Sequence, residues 1–561
     1  MKKITSLLLV GAAVLMTACS GKLAPLTPDN FNVTPKPLEA QAGQVEATVN
    51  GMFPEKYMKK KAVVKVTPQL RFQTAQGEKV LNGSTAAFQG EKVLGNDQVI
   101  SYLVGGRYTM KSTFDYQPEM QNGQLYMTFD AKVGKKKVQI PDVLVANGIV
   151  ATSELYRRTI LTANAALAQD EFQRVSQQKQ EANIKFLIGQ AQLRKSELQN
   201  NSVQEFVRLL KDIVNNQETM VFDNLEVSAY ASPDGGYDLN EKLANKRQDV
   251  TSDYVSGEMK KVKAKAPVDT KYTAEDWEGF QQLVAASDIQ DKDVILRVLS
   301  MYQDPEEREQ QIKNISAAFR ELTDGILPQL RRSRITINYE LIGRDDEQIM
   351  QQLKDDASQL SVEELLYAGT LYDDLAGQEN AYKKATQLYP SDPRAFNNLA
   401  RIALAQGKDS EAKEWAQKAL NIDRNQAEAN VNMGLMALKQ GDMLAAENYI
   451  AKGATANGVN EVLGNLHLAQ GKYAQAEQDF AKVQSNSAAL AQILNKNYQA
   501  AANTLKAVKN QDATTDYLRA ILLARTGNNA EAANALKQAV AKDPSLATYA
   551  ANDLELTKVQ K

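Results

Sequence analysis

The sequence predicts a multidomain chain of three folded parts in series: a β-sandwich, an α/β domain and an all-α superhelix. Three observations carry this. Between residues 44 and 150, short alternating apolar runs are separated by Gly and Asn, the pattern of strands joined by tight turns. Between residues 181 and 343, strand-like runs alternate with helical periodicity, as in a sheet covered by helices. From residue 362 to 561 the chain is Ala-rich, and Gly407 and Gly441 stand 34 residues apart, a period of stacked helical hairpins. A chain of 561 residues also exceeds what one core organises, so several domains are required.

Composition narrows the function. Hydrophobic residues at 43% and charged residues at 24% match ordinary folded protein and leave disorder aside. The net charge is −2, or −4 once Lys2 and Lys3 are removed with a leader, and no basic stripe interleaved with aromatics offers a nucleic-acid face. The densest basic cluster, Arg331 to Arg334, flanks a strand. There is one cysteine, Cys19, and one histidine, His467. That rules out an intrachain disulfide, a Cys/His metal site and a Cys/His or Ser/His catalytic pair. Carboxylates alone can cleave glycosides, but no pair stands out among 68 acidic residues. The expectation is a non-enzymatic protein with no cofactor.

At the amino terminus Lys2 and Lys3 precede the apolar run Leu7 to Met16, too short to span a bilayer but suited to a secretory leader. The following residues Met16, Thr17, Ala18 and Cys19 resemble the lipobox of bacterial lipoproteins. The resemblance implies a signal peptide over 1–18 and an acylated Cys19, whose chains anchor the protein at ~0.8 kcal/mol per buried CH₂. Ser20 in place of aspartate implies the outer membrane, on its periplasmic side. Residues 19–43, with Pro25, Pro28, Pro35 and Pro37, read as an extended tether.

The β-rich part follows over 44–150. Its strand signals are Val63 to Val66, Leu70 to Phe72, Val99 to Val104 and Leu125 to Phe129, with Asn122-Gly123 as a hairpin turn. An immunoglobulin-like sandwich is the expected architecture, with Phe72, Tyr102, Tyr108 and Phe129 as packing residues. Residues 151–180 read as a polar helical connector.

In the α/β part, the first strand is expected over Ile184 to Leu193 and the first helix over Val203 to Ile213. The second strand, Phe222 to Ser232, carries alternating Leu225, Val227 and Ala229. Pro233, Asp234, Gly235 and Gly236 break it, and Asp238 is placed to cap a helix over Leu239 to Lys261. Leu239, Leu243, Val250 and Tyr254 form the apolar stripe expected to face the sheet. Asn240 and Arg247 lie two turns apart on a neighbouring stripe, so the turn carboxylate, an amide and a guanidinium converge on one small polar ligand. A weak strand over Pro267 to Tyr272, a helical insert over 274–327 and a last strand over Ile335 to Leu341 complete the part.

The spacing of Gly235, Asn240, Leu243 and Arg247 resembles that of the OmpA-like periplasmic domain, over about a third of the chain. The resemblance implies binding of peptidoglycan through the diaminopimelate of its stem peptide, with Ser232, Asp234, Gly235, Asn240 and Arg247 as site residues. The family's aspartate position holds Ser232 here, with Asp234 two residues on. The SPDG turn looks like the variant of Bacteroidetes lipoproteins, and the family joins its last strands with far less than the helical insert found here.

Residues 344–361 read as a linker. In the Ala-rich part beyond it, Gly471 and Gly527 continue the glycine series. Leu399, Ala400, Ala412 and Ala419, then Gly434 and Ala446, then Leu463, Gly464, Ala476 and Phe480, then Ala520, Ala532, Leu536, Ala539 and Pro544 recur in register. This resembles the tetratricopeptide repeat, with a degenerate unit at Asn497 to Leu505 and five or six hairpins in all. Stacked hairpins form a superhelix with a concave face for a protein segment. Arg394, Asn397, Arg401, Glu428, Val431, Leu435 and Glu461 are placed on that face, and His467 is read as a packed residue. Together these readings describe a periplasm-facing outer-membrane lipoprotein scaffold that ties the membrane to peptidoglycan and recruits envelope proteins. The alternative is a subunit of an outer-membrane assembly or secretion complex that does not bind the wall.

Overall fold

Alternation of apolar and polar side chains begins earlier than the prolines suggest. Phe31 and Val33, then Leu38 and Ala40, point inward from the strands Phe31–Thr34 and Leu38–Gln41 while their neighbours face solvent. The expected tether is therefore folded over much of its length, because a period of two lets even four residues bury a face. The structure, a computed structural model, describes residues 23–289 and 291–559. The expected leader and Cys19 lie outside them.

The chain forms two compact units, one made of the residues up to Gln169 together with those from Tyr372 on, the other of Asp170–Leu371. In the first unit, the β-rich part consists of a five-stranded and a seven-stranded sheet. Val45, Val49 and Phe53 of one and Val64, Leu70 and Met127 of the other share a single apolar interior. Asn122-Gly123 is not a hairpin turn. The strand before it, Gly106–Asp115, pairs in the first sheet and the strand after it, Gln124–Val133, in the second. The dipeptide crosses between sheets at the end of a short 3-10 helix.

The carboxy-terminal helices of the same unit stack as five hairpins from Pro393–Ala405 to Asn529–Lys542, preceded by the helix Leu375–Leu388. The glycine series marks their inner turns. Gly407, Gly441, Gly471 and Gly527 all adopt positive φ, from 72° to 84°, the left-handed helix end that glycine enters without a Cβ penalty. The fourth hairpin breaks the series because Lys496, at φ 65°, takes that place. Small residues set the spacing of the helices: a Cβ on Gly464 would stand 2.7 Å from the Phe480 ring.

The array ends on Asp553, 5% exposed, whose carboxylate accepts from the Tyr517 hydroxyl at 2.7 Å. Burial pushes its carboxyl up to about 6 against the lowering effect of that hydrogen bond. The folded state thus holds the proton more tightly than an unfolded chain titrating near ~3.9. The associated stability is full below about pH 4 and is lost as pH rises through about 6, by ~2–3 kcal/mol. Denaturant unfolding of wild type and Asp553→Asn at either end of that window is expected to show this loss in the wild type alone. Equal pH dependence of the two would count against it.

The second unit holds a four-stranded sheet in the order Val175–Lys185, Arg332–Ile342, Met220–Tyr230, Val268–Thr273, antiparallel except for the last pair. The first strand lies about nine residues before its expected place. It is an edge strand whose polar run Ser176 to Glu181 carries no apolar signal, and edges favour such residues. The helices Asn201–Asn215 and Tyr237–Val262 contribute Phe206, Leu210, Val255 and Met259 to the core of this sheet. The expected linker is also structured: Asp345 and Gln348 form a capping box for the helix Asp346–Asp355, which buries Ile349 and Leu353. The helical insert packs around its own core of Phe280, Val284, Ile295 and Leu299.

Candidate functional site

In the helix Tyr237–Val262 the expected apolar stripe is only partly inward: Val250 and Tyr254 pack half-buried against the core of the sheet. Asn240, Ala244, Arg247, Thr251, Val255 and Met259 are buried, while Leu239 is exposed. The helix starts at Gly236 with no side-chain cap, and Asp238 sits in its first turn. The helix turns Arg247 inward, 1% exposed, where its guanidinium satisfies three backbone carbonyls. Its Nε donates to Gln190 O at 3.0 Å, one terminal nitrogen to Tyr230 O at 2.9 Å and the other to Leu187 O at 3.4 Å. The Phe186 ring lies 5.2 Å from its Cζ, within cation–π range. Three of its five N–H groups are thus committed to the fold, and Arg247 is first a pin between the helix and the strand ends.

The turn Ala231 to Gly236 is closed by a residue that was not assigned to the site. Arg331 donates from Nε to Ser232 Oγ at 3.2 Å and from a terminal nitrogen to Asp234 Oδ2 at 2.7 Å. Ser232 Oγ in turn donates to Asp234 Oδ1 at 2.5 Å. Asn240 Nδ2 donates to Gly235 O at 2.8 Å, so the amide also holds the turn. These residues surround a pocket of about 160 Å³ lined by Ile188, Ser232, Asp234, Asn240, Arg247 and Arg331. It thus holds two guanidiniums and one carboxylate, an excess of one positive charge. Burial, and then the charge of Arg331, lower the Arg247 guanidinium to about 10, with Asp234 opposing. The RRSR cluster was legible as a strand flank, but not its first arginine as a pocket residue, because strand and turn meet only in three dimensions.

The second site is the inner face of the helical array, part of which the chain occupies with its own residues 163–168; a cleft of about 720 Å³ beside them is lined by Asn164, Arg401, Glu461, Ser485 and Asp512. Ala166 N donates to Asn432 Oδ1 at 2.7 Å, and Ala166 O accepts from Asn397 Nδ2 at 3.1 Å and Asn432 Nδ2 at 2.9 Å. Ala168 N and O both bond Asn398, each at 2.9 Å. Asn164 N donates to Glu461 Oε1 at 2.9 Å, a carboxyl that burial pushes up while the Asn164 bonds pull it down. Side-chain amides therefore pair with the backbone of alternate residues, as a neighbouring strand would. Upstream, Leu155 and Tyr156 enter the core of the last hairpins, and Arg158 pairs with Asp543. The expected connector is thus an inserted segment, helical only over its first turns.

This corrects the expected concave face. Asn397 and Glu461 hold the segment. Val431 and Leu435 are fully buried in the core of the array, Val431 against the turn at Gly453, and touch no free surface. Arg394 pairs with Asp392 at 2.7 Å, Arg401 donates to Gln378 at 3.2 Å and Glu428 accepts from Gln426 at 2.6 Å. Asn398 and Asn432 were missed. The recurrence of asparagine at 397, 432 and 465, close to the repeat period, was the available signal. His467 is half-buried, with Nδ1 2.6 Å from Asp479 Oδ2.

Residues 379–429 match the tetratricopeptide repeat family model. The carboxy-terminal helices carry tetratricopeptide repeats. Type IV pilus assembly protein PilF of Pseudomonas aeruginosa is 31% identical over 106 residues, covering 18% of this chain. The chain spans 42% of the length of that relative. Among solved structures, a tetratricopeptide repeat protein from Parabacteroides merdae is 16% identical, over 38% of this chain and 90% of that one, at a TM-score of 0.27. Pseudomonas aeruginosa PilF is 18% identical, over 39% of this chain and 99% of that one, at 0.27. The Cut9–Hcn1 hetero-tetramer of the APC/C matches at 14% identity, over 58% of this chain and 77% of that one, at 0.31. Tetratricopeptide repeats are surfaces for protein segments, and in this chain one such segment is its own.

Proposed function

We propose that this protein is a non-enzymatic outer-membrane lipoprotein scaffold, acylated at Cys19 and facing the periplasm. In this reading the β-rich part, a sandwich of the immunoglobulin-like kind, and the repeats form a base for envelope protein partners. The Asp170–Leu371 unit is an OmpA-like module that binds the diaminopimelate of peptidoglycan. The observation that carries the reading is the pair of guanidiniums, Arg247 and Arg331, sharing one small pocket with the single carboxylate of Asp234. A ligand carboxylate neutralises the excess positive charge through charge-assisted hydrogen bonds, and Asp234 meets the ligand's ammonium. Arg331 is the exchangeable partner, because its bonds are to side chains, whereas those of Arg247 are to backbone.

The test is co-sedimentation of the chain with purified sacculi. Arg331→Ala is expected to reduce the pelleted fraction at least about tenfold, the loss of one bidentate charged contact, and Asp234→Asn to reduce it less. Wild-type protein that stays in the supernatant would sink the wall-binding claim. It would favour the alternative, a subunit of an outer-membrane assembly or secretion complex. What supports that alternative is that Arg331 and Asp234 already satisfy each other.

A further inference from the structure

One end of the β-rich part carries apolar side chains that are exposed among the described residues. Leu94 is fully exposed, Val104 81%, Leu103 69% and Val99 55%. Scattered exposed leucines are ordinary, but four within eleven residues form a patch. The backbone holds them in place. The segment from Glu91 to Gly105 is stitched to the loop Pro54 to Lys61 by Lys56 N to Tyr102 O at 2.6 Å and Lys92 N to Lys60 O at 2.7 Å. Gly90 and Gly105 bring the two segments together: a Cβ on either would stand 2.1 or 2.2 Å from a carbonyl oxygen of the other segment or its strand. Glu91 accepts from Ser101 Oγ and Tyr102 N, bracing the tip from within.

The rim of this tip is basic. The two stitched segments and the adjoining strand carry Lys56, Lys59, Lys60, Lys61, Lys92 and Arg107 against Glu55, Glu91 and Asp97, an excess of three positive charges. Arg107 belongs to the rim because it pairs with Met52 where the first sheet ends. None of the six cations forms an ion pair among the described residues. Exposed aliphatic side chains ringed by free lysines suit a lipid surface with anionic headgroups. The apolar groups enter the acyl boundary and the cations meet phosphate. We propose that this tip is a membrane contact in its own right, seating the β-rich part on an anionic lipid leaflet independently of any acyl chain.

The experiment uses the chain from Ser20 onward, which keeps every described residue and lacks both leader and lipid site. It is expected to co-sediment with vesicles of phosphatidylglycerol and phosphatidylethanolamine at least about tenfold more than with phosphatidylcholine vesicles, the difference shrinking as salt is raised. Leu103→Asp with Val104→Asp is expected to abolish it, and Lys60→Glu with Lys61→Glu to weaken it. That chain contains no cysteine, so Val104→Cys accepts one environment-sensitive fluorophore, whose emission is expected to shift to the blue on the anionic vesicles alone. Equal sedimentation with both vesicle types, undiminished binding of the Asp variant, or an unmoved fluorophore would overturn the proposal. So would a concentration-dependent dimer that the Asp variant disrupts and vesicles do not affect. None of these outcomes bears on binding to sacculi, so the two readings fail separately.

Discussion

Replacing Arg247 by alanine is expected to destabilise the Asp170–Leu371 unit by about 3–5 kcal/mol, the combined cost of three stranded carbonyls and the loss of a large buried side chain. The substitution strips the donors from three carbonyls, those of Leu187, Gln190 and Tyr230, and empties the space under the Phe186 ring. Relief from desolvating the guanidinium offsets part of this, since burial already lowers it to about 10. The measurement is direct because each unit holds one tryptophan, Trp277 in this unit and Trp415 in the repeats. In a Trp415→Phe background, the fluorescence midpoint in denaturant reports this unit alone. A shift under about 1 kcal/mol, the size of one ordinary hydrogen bond, would show that Arg247 is not the pin described. The expected loss also means that Arg247→Ala cannot separate ligand binding from folding, whereas Arg331→Ala can.

Replacing Asn432 by alanine is expected to release the segment threaded through the tetratricopeptide repeats. The Ala166 N–H loses its acceptor and Asn397 Oδ1 loses a donor, both in buried surroundings where an orphaned polar group costs ~1–3 kcal/mol. The two losses together approach the cost of a large core truncation. Combining it with Asn398→Ala removes both bonds at Ala168 as well. Hydrogen exchange at Ala166 and Ala168 is the readout: protection in the wild type, lost in the double variant, while amides inside the helices Pro393–Ala405 and Ala427–Lys439 keep theirs. Exchange that is equally slow in the variant would mean that apolar packing of Leu155, Tyr156 and Ile160 holds the segment and the amides merely line it.

How much was legible depends on the range of the interaction. The glycine turns of the repeats, the alternation in the sheets and the strand–turn–helix around Ser232 to Arg247 are local, so each leaves a period or a break in the residues themselves. The helix phase was misread because apolar Leu239 and Leu243 outweigh Asn240 and Arg247 on any hydropathy argument. The carbonyls that reverse the choice belong to Tyr230, at the end of the strand before the turn, and to Leu187 and Gln190, in the loop after the first strand. The fourth repeat reads only as a degenerate unit at Asn497 to Leu505 because Lys496 takes the turn conformation without a glycine.

The sequence by itself determined the β-rich, mixed and all-helical character of successive stretches and the repeat period, because these follow from residue type and spacing. Only the tertiary structure decided that Arg331 joins the Ser232–Asp234 turn, and that residues 163–168 occupy part of the face the repeats would otherwise offer to a partner. The physical reason is the same in both cases. The guanidinium is aimed by a strand that meets the turn only after the sheet forms. The asparagines grip peptide N–H and C=O groups, which every residue but proline carries, so the gripped segment has no sequence signature to read.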